Sequence, residues 1–144
     1  MKISKVRNVK IPSRGTEKSA GIDFYVPEDY NVTLAQGESC LIPSGIKANV
    51  PKGFSLIAFN KSGVAVKKSL HVGACVVDED YQGEIHLNLI NVGPNLVSLN
   101  AGEKILQFIL VPVFYDDIEE VSVDDLFEEE TERGSGGFGS TGER

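Results

Sequence analysis

Three carboxylates and a phenol crowd into four consecutive residues, Asp78, Glu79, Asp80 and Tyr81. A carboxylate in such a turn can take a proton from an attacking water and so serve as a general base. An acid with no other work in a turn is simply solvated, and composition alone leaves both readings open. A second concentration of chemistry is "RGSGGFGSTG" at 133 to 142, where Arg133, Phe138, Ser140 and Thr141 stand among five glycines. Arginine grips phosphate with a fork of donors, an aromatic ring stacks on a base, and successive glycine N–H groups can cradle an anion. The alternative is a flexible Gly/Ser tail. Residues 134 to 139 also fit G-x-G-x-x-G, and 134 to 141 fit a P-loop with Ser140 in place of its lysine. Both patterns work only between a strand and a helix, and no helical period follows Gly139.

Other polar residues are individually ambiguous. Asp23 in "AGID" reads as a turn acid at a strand start, and Gln107 in "ILQFIL" as a polar residue on a strand's outer face. His71 and His86 read as strand residues, and no His/Cys/carboxylate spacing suggests a protein-held transition metal. Cys40 and Cys75 form neither a CxxC motif nor a disulfide framework, and both read as buried reduced thiols.

The elements that must position these groups are short strands. "SCLIPSGIKANV", "FSLIAF", "LHVGACVV", "EIHLNLIN" and "KILQFILVPVF" are rich in Val, Ile, Leu and Phe, with Gly, Pro and Asn clusters between them. In "EIHLNLIN" the alternation is clean, with Ile85, Leu87 and Leu89 on one face and Glu84, His86 and Asn88 on the other. The expected fold is all-β, a small jelly-roll-like barrel or sandwich over residues 1 to 115, with "KSGVAVKK" able to form one short turn of helix. An acidic arm (116 to 132) and a glycine-rich tail (133 to 144) follow; Ile118, Val121, Val123, Leu126 and Phe127 could dock the arm as a strand or extended segment.

The net charge of -7 is local in origin. The arm carries ten acids and no base, which leaves 11 acids against 14 Lys and Arg elsewhere, an excess of three positive charges. A phosphate ligand on the body is therefore compatible with the overall charge, whereas no basic stripe with interleaved aromatics points to nucleic acid. No apolar run reaches membrane-spanning length and the Lys-rich start lacks a signal-peptide core, so a soluble, cytoplasmic or other intracellular protein is expected, with no membrane partner.

Read in order, "AGIDFYV" (20 to 26), "NKSGVA" (60 to 65), "GACVVDEDYQGEI" (73 to 85), "ILQFIL" (105 to 110) and "RGSGGFGSTG" resemble the five ordered motifs of the homotrimeric dUTP pyrophosphatases. The resemblance spans nearly the whole chain. It implies hydrolysis of dUTP to dUMP and pyrophosphate with Mg2+, in a homotrimer whose active sites are shared between chains. By resemblance Asp78 activates the water, Tyr81 lies under the deoxyribose, and backbone groups near Ala74, Cys75, Val76 and His86 read the uracil edge. Lys61, Ser62 and Gly63 hold phosphates, and Gln107 sits beside the α-phosphate and the water. Asp23 touches Mg2+ through water. Arg133, with Gly139, Ser140 and Thr141, contacts the far phosphate, and Phe138 covers the base. The family's usual Pro-Arg before Ser-Gly is replaced here by Asn60 and Lys61, and lysine keeps the charge but not the bidentate fork. Its glycines near Cys75 and at His86 are also replaced. Two alternatives stay open: a related dCTP deaminase activity on the same fold, and a catalytically weak protein that binds dUTP to regulate a partner.

Overall fold

A computed structural model describes residues 1–138 and 140; the expected roles of Gly139 and Thr141 fall outside the described residues. The chain divides into one unit from Met1 to Phe114 and a second from Tyr115 onward.

The first unit is an antiparallel β-fold of jelly-roll type, as the strand pattern predicts. Its strands are β1 (Lys2–Lys5), β2 (Ile22–Tyr25), β3 (Val32–Leu34), β4 (Ser39–Pro43), β5 (Ile46–Asn49), β6 (Phe54–Asn60), β7 (Leu70–Val72), β8 (Val76–Val77), β9 (His86–Asn91), β10 (Val97–Leu99) and β11 (Lys104–Pro112). One helix, α1 (Ser62–Lys68), interrupts them. The strands assemble as β2-β11-β6-β8 and β4-β9-β7, with the two-stranded ribbons β1-β5 and β10-β3.

Local sequence explains the two strands that matter most for the site. β9 alternates as expected, and the side chains of Leu87 and Leu89 enter the core beside Ile85. In β11 two successive residues, Ile105 and Leu106, are both buried, which strict alternation forbids. The register against β2 slips between Lys104 and Leu106, so a bulge turns both inward and resets the strand. Beyond the bulge Phe108 packs on Phe24 at a ring separation of 4.7 Å, while its neighbour Gln107 lies on the opposite face.

Three local expectations need adjustment. Cys40 is buried, but Cys75 is only half-buried; both thiols are free. Strands β1, β3 and β10 were not among the apolar runs of the sequence. They are only three or four residues long, too short to register as apolar runs, and they exist through their partners, as when Thr33 and Ser98 join hydroxyls at 2.9 Å across β3 and β10. In the second unit the arm forms no strand among the described residues. It contains a single 3-10 turn at Val123–Asp125, and Ile118, Val123 and Phe127 are exposed. No helix among the described residues is long and apolar enough to cross a membrane.

Candidate active site

The first group of predicted residues surrounds a cleft of about 260 Å³. Ala74, Cys75, Val76, Tyr81 and His86 line it, with Leu41, Ile85 and Phe108 as its apolar backing. The walls are the segment 73–77 and the start of β9, and side chains lock both in place. Asn88 accepts a hydrogen bond from the Ala74 amide at 2.8 Å and donates to the Cys40 carbonyl at 2.7 Å. Its amide fills the space above Gly73, where an added Cβ would fall 1.9 Å from Asn88 Oδ1. Only glycine fits there. Asn60 fixes the other end of the same segment by accepting from the Val72 amide at 2.8 Å. On the far side the Cys75 carbonyl accepts from the Ala58 amide at 2.8 Å. Two of the backbone groups expected to face a base, the Ala74 N–H and the Cys75 carbonyl, are thus already engaged within the chain.

The turn that follows sorts its three acids. The Glu79 carboxylate accepts from the Gly53 amide and so ties the turn to the β5–β6 loop. The Asp78 side chain is exposed and has no partner among the described residues, free to bind water. The Tyr81 hydroxyl donates to the Glu84 carbonyl at 2.9 Å, and the side chain lies so close over Gly83 that a Cβ there would meet the hydroxyl at 2.3 Å and the ring at 2.4 Å. His86 Nδ1 lies 2.9 Å from the same carbonyl. The Glu84 carboxylate accepts from Arg7 Nε and from the Gly45 amide, both at 2.8 Å. Burial would push the Glu84 carboxyl up, but the Arg7 hydrogen bond, the Gly45 amide and the Arg7 and His86 charges outweigh it and hold it below its ordinary 4.5. Hydrogen bonding to Glu84 raises Arg7 in turn.

A second group forms around β2 and β11. Asp23, 4% exposed, pairs through Oδ1 with Lys61 Nζ at 2.5 Å and through Oδ2 with Lys104 Nζ at 3.3 Å. Gln107 sits directly opposite Asp23 and donates to the Asn60 carbonyl at 2.9 Å. Gly21 admits this amide, since a Cβ would land 1.9 Å from Gln107 Oε1. Lys61 immediately precedes α1, and the exposed Ser62 and Gly63 open the helix. Lysine at 61 therefore serves an anionic partner within the protein.

The structure joins the predicted residues into these two groups, slot and charged cluster, but does not bring the groups together. Phe108 reaches the slot while Gln107 belongs to the cluster on the other face of the same strand. In the second unit, Arg133 Nε donates to the Gly136 carbonyl at 2.9 Å, Phe138 is fully exposed with φ of 49°, and Ser140 donates its amide to the Gly137 carbonyl.

Among the described residues no three His, Cys, Asp or Glu side chains group as a metal cage. The donors suit a hard ion held mainly by phosphate and water, because each Asp23 oxygen keeps a second lone-pair site for a metal-bound water. Asn60, Asn88 and Glu84 were missed by the sequence reading. Their signal was present only as polar positions at the end of β6, just before β9 and on the outer face of β9, with partners 12 to 77 residues away.

A family model described as dUTPase matches residues 7–142. The deoxyuridine 5'-triphosphate nucleotidohydrolase of Rattus norvegicus is 42% identical over 131 residues, covering 91% of this chain and 61% of that protein. The chain thus spans about three-fifths of the rat relative's length. A mutant Staphylococcus bacteriophage 80alpha dUTPase solved with dUpNHpp has a similar fold at a TM-score of 0.85 and 23% identity, covering 98% of this chain and 97% of that one. A mutant dUTPase from phage phi11 of S. aureus, described with a structural Mg(II) ion, matches at a TM-score of 0.78 and 21% identity over 89% of this chain and 98% of its own.

Proposed function

The chain belongs to the dUTPase family, and on that premise we propose that it hydrolyses dUTP to dUMP and pyrophosphate. The observation that carries this reading is an Asp78 carboxylate with no partner among the described residues, three residues from a Tyr81 ring already held by its hydroxyl, on the turn that closes a base-sized slot. Asp78 takes a proton from water as the water oxygen attacks the α-phosphorus. The bond from that phosphorus to the oxygen bridging to the β-phosphate breaks, and pyrophosphate leaves. Tyr81 lies under the deoxyribose and excludes a 2'-hydroxyl. The uracil edge is read by the groups of 74–76 and His86 that the chain has not already engaged, so cytosine meets unmatched donors and acceptors.

Ser62, Gly63 and Lys61 hold the phosphates, and Gln107 lies beside the α-phosphate. Asp23 would accept from a water on Mg2+, whose contribution when bound is charge neutralisation and alignment of the triphosphate. Arg133, Ser140 and Thr141 grip the far phosphate, with Gly139 allowing the chain to turn. Phe138 covers the base, so that the tail orders only over substrate and shuts out bulk water. A homotrimer fits this division of labour, because slot and charged cluster lie on opposite faces of β11 and different chains can complete one site.

One observation favours a second reading, a dUTP-binding protein of low turnover: the Lys61 ammonium is held by Asp23. Pyrophosphate and ammonia release from dUTP, dCTP, dTTP and UTP with Mg2+ separates the possibilities. Pyrophosphate from dUTP alone, lost in Asp78→Asn, is the expected result. Ammonia from dCTP, or binding without turnover, overturns it.

A further inference from the structure

Glu84 does two jobs at once. Its carboxylate is pinned by Arg7 Nε and by the Gly45 amide, and its peptide carbonyl receives the Tyr81 hydroxyl and faces His86 Nδ1. A carbonyl can only accept, so the Nδ1 facing it must carry a proton and donate to it. Nε2 is left without a partner among the described residues. Both slot-lining rings thus take their positions from one oxygen atom.

That oxygen is itself held from outside the slot. Gly45 has a φ of 75°, and a Cβ there would press within 2.8 Å of Val9 and 2.9 Å of Arg7, so the β4–β5 turn and the segment 6–9 pack as one piece. The Gly45 carbonyl accepts from the Val6 amide, and Ser44 and Ile46 bracket the Ile85 peptide through hydrogen bonds at 3.0 and 2.9 Å. Arg7 is also 3.9 Å from Asp29, too far for a hydrogen bond but an added attraction. The Glu84 side chain is only 18% exposed, so its pair with Arg7 is better shielded than an ordinary surface pair.

We propose that Glu84, anchored by Arg7 and Gly45, is a positioning residue that sets the sugar selectivity of the slot by fixing Tyr81 through the shared carbonyl. The proposal rests on the dUTP reading above, and it assigns a role to two residues that touch no substrate. Releasing the carboxylate lets peptide 84 shift, and the Tyr81 ring moves with its hydroxyl. Space for a 2'-hydroxyl then opens, and discrimination between dUTP and UTP weakens before turnover of dUTP fails.

The experiment compares kcat/KM for dUTP and UTP in the full chain with Mg2+, for wild type, Glu84→Ala, Tyr81→Phe and the double variant. Glu84→Ala and Tyr81→Phe should each lower the dUTP:UTP ratio by about tenfold, as expected when a site loses a fixed rejecting contact. The double variant should lose no more than Tyr81→Phe alone, because both act through one bond. If Glu84→Ala does not fold, Arg7→Met should lower the ratio in the same direction by about threefold, with Arg7→Lys recovering part of it. An unchanged ratio in the folded variants, or losses that add in the double variant, overturns the proposal while dUTP hydrolysis stands. A wild type that releases no pyrophosphate from dUTP overturns both.

Discussion

The slot and the glycine-rich tail hold their shape by opposite means. Around the slot the short bonds from Tyr81 and His86 to the Glu84 carbonyl rest on a frame of hydrogen bonds between residues far apart in sequence: Asn88 to Ala74 across 14 residues, Glu84 to Gly45 across 39, Asn88 to Cys40 across 48 and Glu84 to Arg7 across 77. In the arm and tail, the hydrogen bonds described between Ser122 and Ser140 join partners three residues apart. Long-range bonds fix groups before any ligand arrives, whereas local turns leave a segment's path to be decided by what it binds. Shape selection therefore belongs to the slot. On the proposed reading the tail would contribute charge and closure at a cost in ordering entropy.

Removing the tail should give the largest separation between the two regions. Truncation after Glu132 is expected to lower kcat/KM for dUTP by roughly a hundredfold or more while leaving the melting temperature of the body unchanged, since closure aligns and shields the phosphates. Full activity in the truncated chain would break the contrast. Asn88→Ala should do the reverse. It removes the bonds to the exposed Ala74 amide and the part-buried Cys40 carbonyl and is expected to cost about 1 kcal/mol in denaturant unfolding, whereas Ser135→Ala in the tail should change stability by less than about 0.5 kcal/mol.

The smallest effect should appear in pH dependence. Glu84 and Glu103 are both held below the ordinary 4.5, Glu103 because the Lys68 and Asn100 hydrogen bonds outweigh its burial. A carboxyl depressed in the folded state contributes stability above its unfolded value, and that contribution is lost as pH falls through the folded value. Glu84→Gln should therefore be less stable than wild type at pH 7, and the gap should close as the pH drops below about 4.5. Thermal melts across that range check it, and a gap that widens toward acid would contradict the assignment.

Legibility in the sequence followed the same division. Strand β9 and its alternation could be read directly, because apolar periodicity is a local signal, and "DEDY", "KSG" and "LQ" marked the turn, the helix start and the strand that carry Asp78, Ser62 and Gln107. The bulge at Ile105 could not be read, since two adjacent apolar residues look alike whether they share a face or not. The pair of Lys61 with Asp23 joins residues 38 apart, and nothing at either position announces the other. Gly73 and Gly83 read as turn residues. Their need for glycine comes from the Asn88 amide and the Tyr81 ring that occupy the space of a side chain.

The central claim is that the body directs water, through Asp78, onto the α-phosphorus. Hydrolysis of dUTP in water enriched in oxygen-18, followed by mass spectrometry of both products, tests it most directly. One labelled oxygen in dUMP and none in pyrophosphate is the expected result, with the labelled product falling by roughly a thousandfold in Asp78→Asn. Label in pyrophosphate, or an Asp78→Asn variant that forms labelled dUMP at the wild-type rate, would contradict it.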